Sequence, residues 1–256
     1  MEVRDRVVVV TGGGGGIGGA LCRRLAADEA RQVVVSDIDQ QAAETVAAEI
    51  GGTAVRADVT VESDVARLVR GTLEAYGRID IYCSNAGIAF GGGPEASDQA
   101  WRKSWDVHVM AHVYAARALL PGMRARGEGY IVGTISAAGL LNHILAAPYA
   151  VTKSAGLSLF EWMAIAYHDQ GIRVSALCPQ GVRTAMLAKG GERNFLTSGA
   201  LGPEQVADAV VEAMRDERFL ILPHPDVGEF FLRKASDYDR WLKGMRRLRA
   251  RILEEQ

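Results

Sequence analysis

A short run of valines that leads directly into glycines constrains this chain more than any other feature. Residues 7–10 are all valine, with no polar alternation, which predicts a strand buried on both faces, as in a parallel sheet. Residues 11–18 are mostly glycine, and a helical pattern follows, with Leu21 and Leu25 on one side. The alternative, a flexible glycine linker, is rarely wedged between a buried strand and an amphipathic helix. We therefore interpret the stretch as a strand, a tight turn and a helix N-terminus.

This turn has the composition of a phosphate-binding loop. Glycines let the backbone turn tightly and approach a pyrophosphate, and the helix N-terminus offers free N–H groups and a favourable dipole. The candidate cofactor-binding residues of the loop are Gly12, Gly14, Gly15, Gly16, Ile17 and Gly18.

An acidic residue ends the second predicted strand, residues 32–37. Asp37 lies 37 − 18 = 19 residues after Gly18. Dinucleotide-binding folds place an acid about 20 residues after the loop, where it accepts hydrogen bonds from ribose hydroxyls. A carboxylate repels a 2′-phosphate, and neither Ile38 nor Gly15 is basic, so the pattern favours NAD over NADP. The competing interpretation of Asp37 is a turn aspartate at a strand end.

Strands and helices alternate along the whole chain. The pattern predicts one doubly wound parallel sheet in a three-layer α/β arrangement, forming a single domain over residues 1–256. Predicted strands are 7–10, 32–37, 53–57, 79–84, 130–135, 172–177 and 219–222, and predicted helices are those after 18 and at 40–50, 61–76, 98–120, 148–171 and 203–215. We expect Pro121-Gly122 to end the long fourth helix.

Polar residues stand where the predicted strands end. Ligands of such sheets bind beyond the carboxyl ends of the strands. Asp58, with Val59 beside it, is a candidate contact for an adenine amino group, although it could equally cap the next helix. Asn85, Ser136 and Pro179 follow later strands at the same edge.

Tyr149 and Lys153 stand four residues apart, so that on a helix they share one face. A nearby ammonium favours the phenolate and lowers a tyrosine pKa from its usual value near ~10. The pair can therefore transfer protons near neutral pH. By itself this spacing is also that of many solvated helix faces, so the neighbouring motifs decide.

Composition excludes several classes of function. The net charge is −2 and 48% of residues are hydrophobic, which suits a large core and gives no sign of nucleic-acid or membrane-surface binding. The cysteines Cys22, Cys83 and Cys178 are too widely spaced for a zinc site, so we expect no metal. The N-terminus lacks a signal-peptide pattern and no apolar run is long enough to span a bilayer. We expect a soluble cytoplasmic protein that acts on a small molecule.

Together these motifs resemble the short-chain dehydrogenase/reductase family over residues 6–222. The similar segments are the glycine loop, Asn85-Ala86-Gly87 after strand four, and residues 179–184 after strand six. Ser136, Tyr149 and Lys153 resemble the family's catalytic residues, and the 13 residues from Ser136 to Tyr149 are the family's usual interval. The resemblance implies that Asn85, Ala86 and Gly87 border the cofactor, and that Pro179, Gly181, Val182 and Thr184 cup the nicotinamide. It also implies a homo-oligomer, with a tetramer favoured.

The resemblance implies reversible oxidation of a secondary alcohol to a ketone, with NAD as hydride acceptor. Tyr149 would be the general acid/base, Ser136 would hydrogen-bond the reacting oxygen, and Lys153 would lower the tyrosine pKa and hold the nicotinamide ribose. Two other functions stay open: an NAD(P)H-dependent carbonyl reductase in biosynthesis, and a non-catalytic cofactor-binding protein of the same fold.

Two positions depart from the family pattern. Where the family has an asparagine on the long helix, this chain has His108, and where it has Pro-Gly after strand six, this chain has Pro179-Gln180. In the family the asparagine marks a helix distortion whose carbonyl takes part in a proton relay. His108 could preserve that carbonyl, join the relay through its imidazole, or have no chemical role. Gln180 could contact the substrate or point to solvent.

The substrate-binding region is largely apolar, which favours a hydrophobic or aromatic alcohol. Its predicted walls are residues 140–145, 90–94 and 186–201. His143 could contact the substrate or be a surface-loop residue, and the glycine-rich segment 185–202 could act as a lid. We expect residues 230–256 to form a basic, amphipathic helical tail that packs on its own domain or on a second subunit.

Overall fold

A seven-stranded parallel sheet forms the centre of the molecule and confirms the predicted fold class. The computed structural model describes residues 1–189 and 195–254. The sheet order is β3-β2-β1-β4-β5-β6-β7, and every neighbouring pair is parallel. The strands are β1 Val7–Thr11, β2 Gln32–Asp37, β3 Thr53–Arg56, β4 Ile81–Ser84, β5 Gly129–Thr134, β6 Ile172–Leu177 and β7 Leu220–Ile221.

Helices cover both faces of the sheet, because each strand is apolar on both sides. The helices are α1 Gly16–Ala27, α2 Gln40–Ile50, α3 Glu62–Tyr76, α4 Asp98–Trp105, α5 Ala111–Arg126, α6 Ala137–Leu141, α7 Ala147–Tyr167, α8 Ala185–Ala188, α9 Pro203–Arg215, α10 Asp226–Ser236 and α11 Tyr238–Glu254. One core layer lies under α1, α2 and α9, and the other lies under α3, α5, α7 and α10.

The order in which strands join the sheet reverses at β1, whose neighbours are β2 on one side and β4 on the other. Such a switch point leaves a crevice at the carboxyl ends of the strands. The glycine loop after β1, Asp37 at the end of β2, and Asn85 after β4 lie around it.

The long fourth helix differs from the prediction in two ways. A π-helical turn, Asp106–Met110, separates α4 from α5, and α5 continues through Pro121 to Arg126. The expectation that Pro121 ends the helix is therefore wrong. Met123, beyond the proline, is fully buried, and Arg126 donates to the Ile79 carbonyl at 2.7 Å. These tertiary contacts outweigh the hydrogen bond that proline cannot make.

Several predicted boundaries also shift. Helix α7 ends at Tyr167, and a 3₁₀ turn, His168–Gln170, precedes Gly171. Helix α6, directly after Ser136, was not predicted. Of the predicted lid, residues 185–202, the part at 190–194 lies outside the described residues.

The predicted tail is a pair of helices. Helix α10 begins at Asp226, before the predicted start at 230, and Asp237 separates it from α11 in an extended conformation. The Asp237 carboxylate accepts the Arg240 N–H at 2.9 Å and so starts the second helix. None of the helices within the described ranges is long and apolar enough to cross a membrane.

Candidate active site

The glycine loop lies between β1 and α1, where two of its residues must be glycine. Gly12 has a φ of 65°, in the left-handed region. A Cβ on Gly18 would lie 2.0 Å from the Gly12 carbonyl oxygen, so a side chain there would push the turn apart. No side chain caps the N-terminus of α1, and a Cβ on Gly15 would meet only open space. This open helix terminus fits the pyrophosphate of a dinucleotide.

Asp37 is placed beside this loop. Its carboxylate accepts the Gly14 N–H at 3.0 Å and the Asp39 N–H at 3.1 Å. Ile38 is exposed next to it. The acid therefore lies beside the glycine loop and holds its turn in place, while the ribose contact stays a prediction.

Asp58 has a local role in the structure. Its carboxylate accepts the backbone N–H of Thr60 at 2.9 Å and the Thr60 hydroxyl at 2.7 Å. Helix α3 has Val61 as its N-cap, so Asp58 does not cap it. Asp58 and Val59 lie directly after β3, at the same edge of the sheet as the glycine loop.

Asn85 joins the ends of two strands that flank β4. Its side-chain amide donates to the Thr11 carbonyl at 3.0 Å and the Gly12 carbonyl at 3.3 Å. Its oxygen accepts the Thr134 hydroxyl at 2.9 Å, and the Thr134 carbonyl accepts Lys153 Nζ at 2.7 Å. We call this chain of Thr11, Asn85, Thr134 and Lys153 the strand-end network. It connects the glycine loop to helix α7.

Sequence reasoning missed Thr134, and it included Thr11 only as the first residue of the glycine-loop motif. The available signal was that each is a hydroxyl residue at the last position of an otherwise apolar strand. A buried hydroxyl there needs a partner, which at a strand end is the next loop.

Ser136 and Tyr149 face the same edge. Ser136 begins α6 with a φ of 126°, a strained conformation for a residue other than glycine, and its hydroxyl accepts the Ala138 N–H at 3.1 Å. The half-buried ring of Tyr149 lies edge-on to His108 and His143, with centroid distances of 5.3 and 6.1 Å. The protein atoms around it raise the pKa of Tyr149, and the Ser136 hydroxyl acts in the opposite direction.

Lys153 is buried one helical turn after Tyr149. Burial lowers the pKa of Lys153 to about 7. Its Nζ lies 5.6 Å from the centroid of the Tyr149 ring and is directed to the Thr134 carbonyl. The sequence analysis expected the lysine to lower the pKa of Tyr149. The structure gives the opposite net direction, because burial dominates at both side chains.

His108 lies within the π-helical turn and is fully buried. Its Nε2 accepts the Ile88 N–H at 3.3 Å, and its Nδ1 lies 2.8 Å from Thr152 Oγ1. The Thr152 hydroxyl donates to the Pro148 carbonyl at 2.7 Å, so Nδ1 carries the proton and donates to Thr152. Burial lowers the pKa of His108 to about 2. Both nitrogens of a neutral imidazole are therefore satisfied by structural partners.

The carbonyl of His108 faces helix α7. A Cβ on Gly156 would lie 2.9 Å from this oxygen, so the glycine permits the close approach of the π-helical turn. The helix distortion that the family resemblance implies is thus present with a histidine at its centre.

A second histidine follows one turn later. His112 Nδ1 lies 2.6 Å from Ser84 Oγ, while its Nε2 is buried and has no hydrogen-bond partner within the described ranges. Burial lowers the pKa of His112 to about 3. The sequence analysis did not select it, although the spacing of four from His108 places both on one helix face.

The segment after β6 closes the other side of the crevice. Its backbone pairs with a later stretch through a bridge of Val182 with Leu201. The Thr184 side chain comes within 3.2 Å of the position a Cβ on Gly16 would take, beside the glycine loop. Thr184 therefore lies beside the glycine loop, and the contact of Pro179, Gly181 and Val182 with the nicotinamide stays a prediction.

His224 supports this segment and was also missed. Its Nδ1 accepts the Gln180 N–H at 3.2 Å, and its Nε2 lies 3.1 Å from the Gly181 carbonyl. These partners are 43 or more residues away in the chain, and no local pattern marks such a contact. Gln180 uses its main chain here.

His143 lies between the candidate base and the described start of the segment beyond residue 194. Its ring centroid is 5.5 Å from that of Phe195, and its Nδ1 accepts the Leu145 N–H at 3.3 Å. Burial lowers the pKa of His143. His143 thus lies between the rings of Tyr149 and Phe195.

Comparison with known proteins finds similarity to dehydrogenases. The family model for short chain dehydrogenases matches residues 6–194. A 2,5-dichloro-2,5-cyclohexadiene-1,4-diol dehydrogenase from Sphingobium indicum is 39% identical over 193 residues, which cover 73% of this chain and 77% of the relative. A 1-deoxy-11-beta-hydroxypentalenate dehydrogenase from Streptomyces exfoliatus is 34% identical over 239 residues, covering 88% and 86%.

A solved structure gives the same result. A short chain dehydrogenase/reductase from Burkholderia phymatum in complex with NAD superposes with a TM-score of 0.86 and 28% identity, over 93% of this chain and 96% of the other.

The buried histidines make stability depend on pH. Unfolded histidine titrates near ~6.5, whereas burial holds the pKa of His108 at about 2 and that of His112 at about 3. Below pH ~6.5 the unfolded chain binds protons that the native state does not, so stability falls as the pH falls. Between pH 7.5 and 5.5 we expect each of the two to remove about 1.4 kcal/mol from the free energy of unfolding.

Urea unfolding at several pH values measures this effect. His108→Asn should show a pH-dependent loss smaller than wild type by about 1.4 kcal/mol, whatever its stability at pH 7.5. His168→Asn, at an exposed position, is the control for removing a histidine. Parallel curves for wild type and His108→Asn would contradict a neutral, buried His108.

Proposed function

The chain belongs to the short-chain dehydrogenase family and is an oxidoreductase that acts on CH–OH groups, and from this premise we propose that it oxidises a secondary alcohol to a ketone with NAD, using Tyr149 as the general base. One observation carries the proposal. Ser136 and Tyr149 meet at the carboxyl edge of the sheet, with the ammonium group of Lys153 buried behind them.

In the proposed mechanism, Tyr149 takes the proton of the substrate hydroxyl. Ser136 donates a hydrogen bond to the same oxygen and stabilises the charge it develops. When bound, the nicotinamide ring supplies the hydride acceptor. In the reduction direction Tyr149 would return this proton to the substrate oxygen, so the same residue serves as base in one direction and as acid in the other.

Lys153 has two roles in this proposal. Its pKa of about 7 lets it give up a proton at neutral pH, which makes it a proton donor and acceptor behind Tyr149. The strand-end network also holds its Nζ at the end of β5, where it can reach the nicotinamide ribose. Asn85, with Ala86 and Gly87, would border the ring from β4.

For His108, we propose a positioning role. A proton relay through the imidazole would require an open nitrogen, and both nitrogens are engaged with Ile88 and Thr152. The residue ties the loop after β4 to the helix that carries Tyr149. Any relay in this enzyme would use the His108 carbonyl at the π-helical turn.

The dinucleotide would lie across the switch point. The open N-terminus of α1 would hold its pyrophosphate, Asp37 the adenosine ribose hydroxyls, and Asp58 with Val59 the adenine. The segment 179–184 would cover the nicotinamide end. The negative charge of Asp37 and the absence of a basic side chain at Ile38 support NAD over NADP.

The substrate proposal is an apolar secondary alcohol, and a ring alcohol fits best. The two relatives are named as dehydrogenases of a cyclohexadiene diol and of a hydroxypentalenate. Around Tyr149 the walls are the rings of His143 and Phe195, and Leu145 lies on the same loop. The runner-up function, an NAD(P)H-dependent carbonyl reductase in biosynthesis, would use the same residues in the opposite direction.

We also propose a homo-oligomer, with a tetramer favoured. Helix α7 carries three large apolar side chains in contact with solvent, Val151, Trp162 and Ile165, and Ile165 is 83% exposed. Trp105 at the end of α4 is exposed as well. Apolar patches of this kind mark subunit contacts.

Replacing Tyr149 with phenylalanine tests the general base. We expect kcat for alcohol oxidation to fall by about 10²- to 10⁴-fold, because only the hydroxyl is lost. NADH binding, measured by fluorescence titration, should stay within about twofold of wild type. Tyr238→Phe, at an exposed position on α11, is the matched control. Substantial turnover by Tyr149→Phe would remove the residue from the mechanism.

The wild-type protein and this variant are also assayed with a panel of alcohols plus NAD⁺ and a panel of ketones plus NADH or NADPH. Activity only with ketones, and with NADH or NADPH as the donor, would favour the reductase. Dinucleotide binding without any turnover would favour the non-catalytic alternative.

Asp37→Asn tests the cofactor preference. The amide keeps an oxygen for the Gly14 N–H and gives up only the bond from the exposed Asp39 N–H, so the charge is lost with little change to the turn. We expect the ratio of kcat/KM for NAD to that for NADP to fall on the order of tenfold. Glu44→Gln removes a carboxylate from an exposed site on α2 and is the charge control. A wild-type preference for NADP would contradict the interpretation of Asp37.

Ile165→Glu tests the subunit contact. A charge in an apolar interface is left unpaired, so we expect the mass from light scattering to fall toward that of one subunit. Leu73→Glu, on the solvent side of α3, should keep the wild-type mass. A single-subunit mass for the wild type would refute the oligomer.

A further inference from the structure

The loop that carries His143 is held from outside by the last two helices. We define the substrate loop as residues 140–146, which comprise the last two residues of α6 and the connection to the start of α7. His143 in this loop lies against the ring of Tyr149. The position of the loop therefore sets the width of the space in front of the proposed base.

The substrate loop is already paired with the loop after β4. The Gly92 N–H donates to the Leu145 carbonyl at 2.9 Å, and the Ala147 N–H donates to the Gly92 carbonyl at 2.8 Å. The two walls of the proposed pocket consequently move together, and a restraint on one is a restraint on both.

Two cationic side chains reach the substrate loop from the C-terminal helix pair, α10 and α11. Lys234 Nζ donates to the Leu140 carbonyl at 2.6 Å, and Arg249 Nε donates to the Ile144 carbonyl at 3.1 Å. The bonds come from different helices and span 94 and 105 residues of sequence. Both acceptors are main-chain carbonyls, so these bonds depend on where the loop backbone lies.

Arg249 is also close to the second wall. The pKa of Glu95 is lowered by the backbone N–H groups of Glu95 and Gly93 that its carboxylate accepts, and further by the charge of Arg249. The charge of Arg249 therefore acts on a side chain of the second loop, while its Nε bonds the first.

The helix pair is itself fixed to the domain. Val227 on α10 is fully buried, Ile252 on α11 is 5% exposed, and the rings of Phe230 and Trp241 join the two helices at 6.4 Å. Ile252 stands three residues after Arg249, one helical turn away. An anchored support can restrain a loop, whereas a solvated tail cannot. The pair lies beyond residue 194, where the match to the family model ends.

We propose that Lys234 and Arg249 are positioning residues that fasten the substrate loop, so that the C-terminal helix pair sets the size of alcohol the site accepts. The second half of this statement rests on the proposed function. The claim that Lys234 and Arg249 fasten the substrate loop does not depend on that function, and it is tested by a measurement that needs no enzyme activity.

Hydrogen exchange read by mass spectrometry tests the restraint. We expect Arg249→Met to raise exchange in peptides covering residues 140–147 by about fivefold, the factor that one hydrogen bond supplies. The double variant Lys234→Met/Arg249→Met should exceed either single one. Arg247→Met and Lys243→Met remove exposed cations of α11 and should leave this peptide unchanged. Wild-type exchange in the double variant would overturn the proposal.

Steady-state kinetics with two probe alcohols tests the consequence for specificity. The probes are 2-butanol and the bulkier 1-phenylethanol, each with NAD⁺. In the double variant we expect the ratio of kcat/KM for 1-phenylethanol to that for 2-butanol to change by about threefold or more, while KM for NAD⁺ stays within about twofold. An unchanged ratio in a variant with faster exchange would overturn the specificity role. If the wild type oxidises neither these nor any other alcohol of the panel, the proposed function fails, and the exchange result still decides the restraint.

Discussion

The whole site depends on one side chain that bonds the ends of separate strands. Asn85 follows β4, and its amide holds the end of β1 on one side and the end of β5 on the other. In a parallel sheet these ends carry the loops that bind ligands. The same bonds therefore fix the glycine loop relative to Thr134, and Thr134 fixes Lys153. Loss of any member would leave a buried polar group unpaired, which costs more than the bond itself contributes.

Burial explains the electrostatics of the site better than pairing does. Lys153, His108 and His112 are all removed from water, and for each the pKa is lowered by desolvation before any neighbouring charge acts. Pairing arguments taken from spacing alone overlook this effect. The lysine stays close to its titration midpoint at neutral pH, while both histidines remain neutral. Lys153 is therefore the one of these three groups that titrates near neutral pH in the proposed chemistry.

The sequence predicted what depends on local pattern. Apolar runs placed the strands, the glycine loop and Asp37 lie where their spacing indicated, and helix α7 carries the tyrosine and lysine on one face. Contacts between distant residues were beyond such reasoning. Helix α5 continues through Pro121 because Met123 is buried in the core, and His224 holds Gln180 from 44 residues away. Neither contact can be predicted from a short stretch of sequence, because each depends on which surfaces the folded chain brings together.

The departure at His108 is compatible with the family chemistry for a geometric reason. The π-helical turn inserts one extra residue into the helix, and so alters where the carbonyls and side chains of that turn point. Gly156 then lets the His108 carbonyl approach α7 without obstruction, while the imidazole fills the space between the loop after β4 and Thr152. Backbone and side chain at this position thus have separate tasks. The π-helical turn, and not the side chain, sets the position of the His108 carbonyl. Histidine can therefore replace the usual asparagine, because its imidazole hydrogen-bonds both Ile88 and Thr152.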